Sequence, residues 1–175
     1  TNVILNRIIQ VFGILIILLG ILFLLSLITY SPDDPNFIFS ENKDIKNLLG
    51  FNGSLISDFF FQAIGLVSFL IPLTIIMTGI NIFFNKKVLI LFENLFFIVL
   101  YSLIGSAYLS FFYQDSFFLS RRGSGGFVGN FFTNSYLKKL LMINEQISYF
   151  SLIFFIVVLF LFSINFKLDY LIKII

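Results

Sequence analysis

The sequence predicts an all-α integral membrane domain, a four-helix bundle with an additional amphipathic helix in its second long loop. Two observations lead to this fold class. Of 175 residues, 59% are hydrophobic and only 11% are charged, whereas about a quarter of the residues in a soluble domain are charged. The chain also contains four long apolar stretches, and each is long enough to cross the roughly 30 Å hydrocarbon core of a bilayer.

The four predicted spans cover approximately residues 8–28, 59–82, 88–108 and 147–166. A helix rises about 1.5 Å per residue, so roughly 20 apolar residues suffice to cross the hydrocarbon. The first stretch is too long for a signal peptide and has no small-x-small cleavage site near its end. We therefore expect one membrane domain over residues 1–175. Pro72 predicts a kink within the second span.

The connections between the spans predict which side of the membrane each part occupies. Asn85-Lys86-Lys87 forms a tight hairpin turn, whereas loops 31–58 and 109–146 are long. Positive charge is dense on the short flanks (Arg7, Lys86, Lys87, Lys167 and Lys173), and the first long loop is acidic. The positive-inside rule then predicts cytoplasmic termini and external long loops. The basic residues of the second long loop argue against this orientation (Arg121, Arg122, Lys138 and Lys139).

The second long loop has its own helical pattern. From Phe127 onward, apolar residues recur at helical spacing and polar residues fill the gaps. This period predicts an interfacial helix over 127–143 that lies on the outer leaflet. A short external helix packed on the ends of the spans is the alternative.

The sequence predicts no catalytic, cofactor or metal site. The chain has no Cys and no His, which excludes thiolate chemistry and the commonest general base and metal ligand. Glu93 is the one acidic residue within a predicted span, and it lies roughly 7 Å past the lysine turn. We expect an interfacial or ion-paired structural role for it, with a proton or ion pathway as the alternative.

Glycines and small residues predict loops and helix packing. The stretch 121–129 lacks the spacing of a phosphate-binding Walker motif, so its glycines indicate a flexible loop that leads into the interfacial helix. Small residues at helical spacing let membrane helices approach closely. The candidates for such packing are Gly13, Gly20, Ser102 and Ser106.

A set of loop residues follows a recognisable order along the chain. Tyr-Ser-Pro-Asp-Asp-Pro comes directly after the first span, two glycines and an aspartate lead into the second, and Gly-Gly-x-x-Gly follows the third. These residues are Tyr30, Ser31, Pro32, Asp34, Pro35, Gly50, Gly53, Asp58, Gly125, Gly126 and Gly129. The order resembles the four-helix N-terminal membrane domain of the FtsK/SpoIIIE DNA translocases of bacterial division, over nearly the whole chain.

The same loop residues also have simple physical interpretations. Pro32 and Pro35 end the first helix as it leaves the membrane. Gly50 and Gly53 permit positive φ before the second span. Ser54 is the expected N-cap of the next helix, with Asp58 near its first turn.

The resemblance implies a membrane anchor in the bacterial cytoplasmic (inner) membrane, located at the division septum. It implies contacts with lipid and with other division proteins, and assembly into a homo-oligomer. ATP, Mg and DNA translocation would belong to a C-terminal motor that these 175 residues do not contain. Within these residues we expect no enzyme activity and no direct nucleic-acid contact.

Two alternatives to the anchor remain open. One is a small membrane transporter or channel subunit, supported by Pro72, Asn81, Glu93 and Asn94, which would require a polar line through the bundle. The other is a stand-alone division scaffold. A membrane enzyme is disfavoured, because no nucleophile and base come together in the sequence.

Overall fold

The computed structural model describes residues 2–35, 44–114, 119, 123–135 and 137–165, and these residues contain helices and no strand. The α-helices are α1 (Asn2–Ile28), α2 (Gly50–Ile64), α3 (Leu70–Asn85), α4 (Ile90–Phe112), α5 (Gly126–Thr133), α6 (Leu137–Leu141) and α7 (Glu145–Ser163). Two 3₁₀ turns, Gly65–Phe69 and Met142–Asn144, connect α2 to α3 and α6 to α7.

Four helical segments are long and apolar enough to cross a membrane. They are Val3–Ile28, Gly50–Asn85, Ile90–Phe112 and Glu145–Ser163. The predicted all-α membrane bundle is therefore confirmed. The helices extend past the predicted spans at several ends, but α4 begins at Ile90 where the span was predicted from 88, and α7 ends at Ser163, before the predicted 166. Residue 166, the predicted end of the fourth span, lies outside the described residues.

The second segment is interrupted at Gly65, and Pro72 does not interrupt it. Gly65 has φ +70° and the 3₁₀ turn begins there, so α2 and α3 are separate helices. Pro72 lies in the first turn of α3, where a missing amide proton costs no intrahelical hydrogen bond. The kink expected at Pro72 is thus wrong in position, by seven residues.

The spans pack as two pairs. Gly13 of α1 meets Gly79 of α3 so closely that a Cβ on Gly13 would lie 2.9 Å from the Gly79 carbonyl oxygen. About two turns further along α1, a Cβ on Gly20 would lie 2.7 Å from a side-chain carbon of Ile76. In the second pair, aromatic rings of α4 and α7 are in contact, with Tyr101 and Phe160 centroids 6.0 Å apart.

Helix α2 packs on the C-terminal end of α1. The Phe23 and Phe60 ring centroids are 4.7 Å apart, and Leu27, Phe61 and Leu119 form a buried apolar cluster. At the opposite end of the bundle, Lys86 adopts a left-handed conformation (φ 57°) and closes the short turn between α3 and α4.

The amphipathic segment of the second long loop is helical but not continuous. Instead of one helix over 127–143, the chain forms α5, α6 and a 3₁₀ turn. At the end of α5, the Ser135 hydroxyl donates to the Phe132 carbonyl at 2.6 Å. Serine side chains that bond nearby backbone in this way compete with helix continuation. Helix α5 turns Phe127 and Phe131 outward and buries Gly126 and Gly129.

Candidate functional site

The loop that follows α1 is joined to the segment before α2 by the side chain of Asp34. This carboxylate is only 5% exposed and accepts the backbone amides of Lys46, at 3.0 Å, and of Asn47, at 2.9 Å. The two amide donors form charge-assisted hydrogen bonds to the carboxylate, which replace the hydrogen bonds it would make with water. Its neighbour Asp33 points outward and pairs with the exposed Lys46 ammonium at 3.2 Å.

Asn47 extends this junction to the end of α1. Its side-chain amide donates to the Ser26 carbonyl at 2.9 Å, and its side-chain oxygen accepts the Leu49 amide at 3.1 Å. The Ser26 hydroxyl in turn donates to the Gly53 carbonyl at 2.7 Å. A Cβ on Gly53 would overlap the Asn47 side chain.

The two glycines before the second span therefore serve different purposes. Gly50 adopts positive φ (+64°), as the sequence suggested, whereas Gly53 does not have positive φ and lies within α2. The expectation of positive φ at Gly53 is wrong, because this position requires a residue without a Cβ and does not require a left-handed backbone conformation.

Ser54 and Asp58 complete the same junction from within α2. The buried Ser54 hydroxyl donates to the Pro35 carbonyl at 2.7 Å. It is not the N-cap, since α2 already begins at Gly50 and its N-cap Leu49 makes no side-chain cap bond. The Tyr30 hydroxyl donates to Asp58 at 3.2 Å. We call these residues the signature cluster: Ser26, Tyr30, Asp34, Pro35, Asn47, Gly53, Ser54 and Asp58.

The glycines of the second long loop pack against α4. Gly125 and Gly129 are buried, and a Cβ on either residue would overlap the Ser110 hydroxyl and the Ser106 carbonyl. The arrangement differs from the flexible loop expected from the sequence: these glycines bring the start of α5 against the backbone of α4.

Gly126 and Gly65 bring two backbones together at the break between α2 and α3. Both have positive φ, +65° and +70°, and the Leu66 amide donates to the Ser124 carbonyl at 2.9 Å. The Ser106 hydroxyl donates to the Ile64 carbonyl at 2.9 Å. We call this contact the glycine junction: Gly65, Gly125, Gly126, Gly129, Ser106 and Ser110. Helix α2 thus extends from the signature cluster to the glycine junction.

Two other residues singled out in the sequence have simpler surroundings. Ser102 is buried, and its hydroxyl has no hydrogen-bond partner among the described residues. Glu93 is exposed in the first turn of α4, and no ion pair joins it to a described residue. Within the described part of the chain, no three His, Cys, Asp or Glu residues group to hold a metal ion.

A buried polar cluster lies between α3, α4 and α7, and of its members only Asn94 was singled out from the sequence. Asn94, 2% exposed, donates to Thr78 at 2.7 Å and accepts from Asn165 at 2.6 Å. Thr74 hydrogen-bonds both Tyr101 and Ser163, at 3.2 and 2.9 Å. The spacing of Thr74 and Thr78, one helical turn apart, was the available signal.

Comparison with known proteins agrees with these observations. Residues 6–174 match the family model described as the 4TM region of DNA translocase FtsK/SpoIIIE. No solved structure matches the chain.

Curated relatives align over part of the chain. The DNA translocase FtsK of Rickettsia prowazekii (strain Madrid E) is 32% identical over 103 residues, covering 57% of this chain and 13% of that protein. The DNA translocase FtsK of Rickettsia typhi (strain ATCC VR-144 / Wilmington) is 35% identical over 107 residues, covering 59% and 14%. The chain thus spans a small fraction of the length of these relatives. Since the family model covers nearly all of its residues, the chain belongs to the 4TM-region family of the FtsK/SpoIIIE DNA translocases.

Proposed function

We propose that this domain anchors a bacterial DNA translocase in the cytoplasmic membrane and targets it to the division septum through contacts with other division proteins. The observation that carries the proposal is the signature cluster, a hydrogen-bonded structure at one end of a bundle whose family is that of a DNA translocase membrane region. An anchor that only crossed the membrane would not need an ordered loop of this kind. ATP hydrolysis and DNA pumping are assigned to other parts of the translocase.

The proposed orientation has both termini and the Lys86-Lys87 turn in the cytoplasm. The signature cluster and the glycine junction would then lie toward the external side. The support is the concentration of Lys and Arg on the short flanks, which favours the cytoplasmic side. Basic flanks would also lie against anionic lipid there.

The proposed partner surface is the outer side of the segment that enters and forms α2. Leu48 is 71% exposed, Phe51 46% and Phe59 58%. They lie beside the signature cluster, which holds this segment against the end of α1. Exposed apolar side chains within the spans contact lipid, but Leu48 and Phe51 precede the predicted span 59–82, and apolar side chains exposed to water mark interaction sites.

Fluorescence microscopy in dividing bacteria tests this proposal. The chain fused at its C-terminus to a fluorescent protein is expected to concentrate at the septum, and Leu48→Ser with Phe51→Ser is expected to leave it evenly distributed in the membrane. The matched control is Leu89→Ser, which changes a 75% exposed leucine at the opposite end of the bundle. Even distribution of the unchanged fusion, at normal membrane levels, would reject septum targeting by this domain.

The polar cluster of α3, α4 and α7 favours a second candidate, a channel or transporter subunit. It supplies the inward polar groups that such a function requires. Its members, however, bond one another, and among the described members none is a carboxylate or an amine. Interhelical hydrogen bonds of this kind stabilise membrane bundles. Proteoliposomes containing the chain are expected to show no proton or cation flux above protein-free liposomes, and flux abolished by Asn94→Leu would favour the channel instead.

A further inference from the structure

An apolar groove lies between the 3₁₀ turn Gly65–Phe69, α4 and α7. Its volume is about 310 Å³, and its walls include Val67, Leu70, Gly105, Ile153 and Val157. Gly105 makes the groove possible, because it brings Val67 against α4: a Cβ on Gly105 would lie 2.7 Å from a Val67 methyl carbon. A lining of this composition suits a hydrocarbon chain and no polar ligand.

A second cavity, which we call the hollow, lies where α4 ends and α7 begins. It has a volume of about 440 Å³ and is lined by Phe112, Tyr113, Glu145, Gln146 and Tyr149. The Tyr113 and Tyr149 hydroxyls are 2.9 Å apart, and this hydrogen bond raises the pKa of Tyr113. Aromatic faces beside a carboxylate form an environment that attracts a cation.

Tyr108 connects the two cavities. It lines the groove, and its ring contacts those of Tyr113 and Tyr149 with centroids 5.8 and 5.5 Å apart. The lining residues of the two cavities lie about one helical turn apart on both helices, Leu109 before Phe112 on α4 and Tyr149 before Ile153 on α7. An amphiphile aligned with the helices would place its headgroup in the hollow and its hydrocarbon tail in the groove.

We propose that the groove and the hollow together bind one phospholipid whose headgroup carries an ammonium. The acyl chain occupies the groove, and the ammonium lies against the Tyr113 and Tyr149 rings beside Glu145. Among the described lining residues of the hollow, the one charged group is the Glu145 carboxylate, which favours an ammonium over a headgroup with net negative charge. The ammonium is attracted both by the carboxylate and by the negative faces of the rings.

Native mass spectrometry of the delipidated chain in detergent tests the proposal. Phosphatidylethanolamine and phosphatidylglycerol with identical acyl chains are titrated in parallel. We expect an apparent Kd about two- to five-fold lower for phosphatidylethanolamine, the effect expected of an exposed cation–π site. Equal affinities, or tighter binding of phosphatidylglycerol, would overturn the headgroup assignment.

Matched variants separate the two halves of the site. Glu145→Gln and Tyr149→Leu are each expected to remove the preference for phosphatidylethanolamine, whereas Glu93→Gln, an exposed carboxylate in the first turn of α4, keeps it. Val157→Trp fills the groove and is expected to weaken both lipids, whereas Val99→Trp, at a similarly exposed valine of α4, weakens neither. A preference that persists in both hollow variants, or unchanged binding in Val157→Trp, would contradict the site.

Discussion

The carboxylate of Asp34 accepts the backbone amide of Asn47 at 2.9 Å, and this bond joins the segment leaving α1 to the segment entering α2. The two residues are 13 positions apart, and Asn47 continues the connection to the Ser26 carbonyl inside α1. The first long connection is thereby attached to the helix that it follows. The membrane bundle thus carries a folded end, and the stability of that end depends on a few buried polar atoms.

Replacement of Asp34 by Asn is expected to destabilise the domain. A carboxamide has one oxygen where the carboxylate has two, so one of the two amides that Asp34 accepts would lose its acceptor. An unsatisfied buried donor costs about 1–3 kcal/mol. The measurement is the unfolding free energy in mixed detergent micelles.

The neighbouring Asp33→Asn is the control for this change. It removes an ion pair between exposed groups, which contributes about 0–1 kcal/mol. Equal destabilisation by the two substitutions would contradict the structural role of the Asp34 carboxylate.

Gly65→Ala is expected to destabilise more than Gly50→Ala. Both positions have positive φ, which strains an alanine. At Gly65, ψ of −147° also places the backbone in a region essentially restricted to glycine, at a cost of about 1–3 kcal/mol. Only at Gly65 would the new Cβ overlap the Ser124 carbonyl, whereas Gly50 has open space. Overpacking adds about 1–3 kcal/mol. Thermal unfolding of the two variants, followed by circular dichroism, measures the difference, and a larger effect at Gly50 would argue against the glycine junction.

Asn94→Leu is expected to loosen α7 from α3 and α4. The substitution preserves approximate volume but removes the bonds to Thr78 and Asn165. Because interhelical hydrogen bonds in membranes average about 0.6 kcal/mol, the expected loss is about 1 kcal/mol. Asn85→Leu, at an exposed end of α3, should have no measurable effect in the same unfolding assay. A stabilised Asn94→Leu variant would show that the cluster does not hold the helices together.

Cysteine labelling is expected to establish the orientation in the membrane. The chain has no Cys, so single substitutions need no background removal. Lys87→Cys and Asp44→Cys introduce thiols at exposed positions in two different connections. In intact spheroplasts, a membrane-impermeant maleimide should label Asp44→Cys and not Lys87→Cys, with both labelled after lysis. The reverse pattern would invert the proposed topology.

Some features were predictable because they depend on the residues of one short segment and not on what that segment contacts. The spans were recognisable since each apolar residue contributes independently to transfer into hydrocarbon, and the hairpin turn at Asn85 because the apolar run stops there. Gly50 was predictable because its requirement is its own backbone conformation. The glycine at position 65, by contrast, breaks the helix only where it meets another segment, so Pro72 seemed the stronger local signal.

By itself, the sequence determined that this protein is an all-helical membrane domain of four spans with two long connections, because burial in hydrocarbon acts residue by residue. Only the tertiary structure decided that Asp34 is the buried member of the Asp33-Asp34 pair, that Ser54 bonds Pro35, and that Asn94 of α4 bonds Thr78 of α3 and Asn165, just past the end of α7. Each of these depends on which atom lies opposite, and the partner is 12 to 71 residues away in the chain. A hydrogen bond requires a partner within about 3 Å, and chain folding alone brings such partners together.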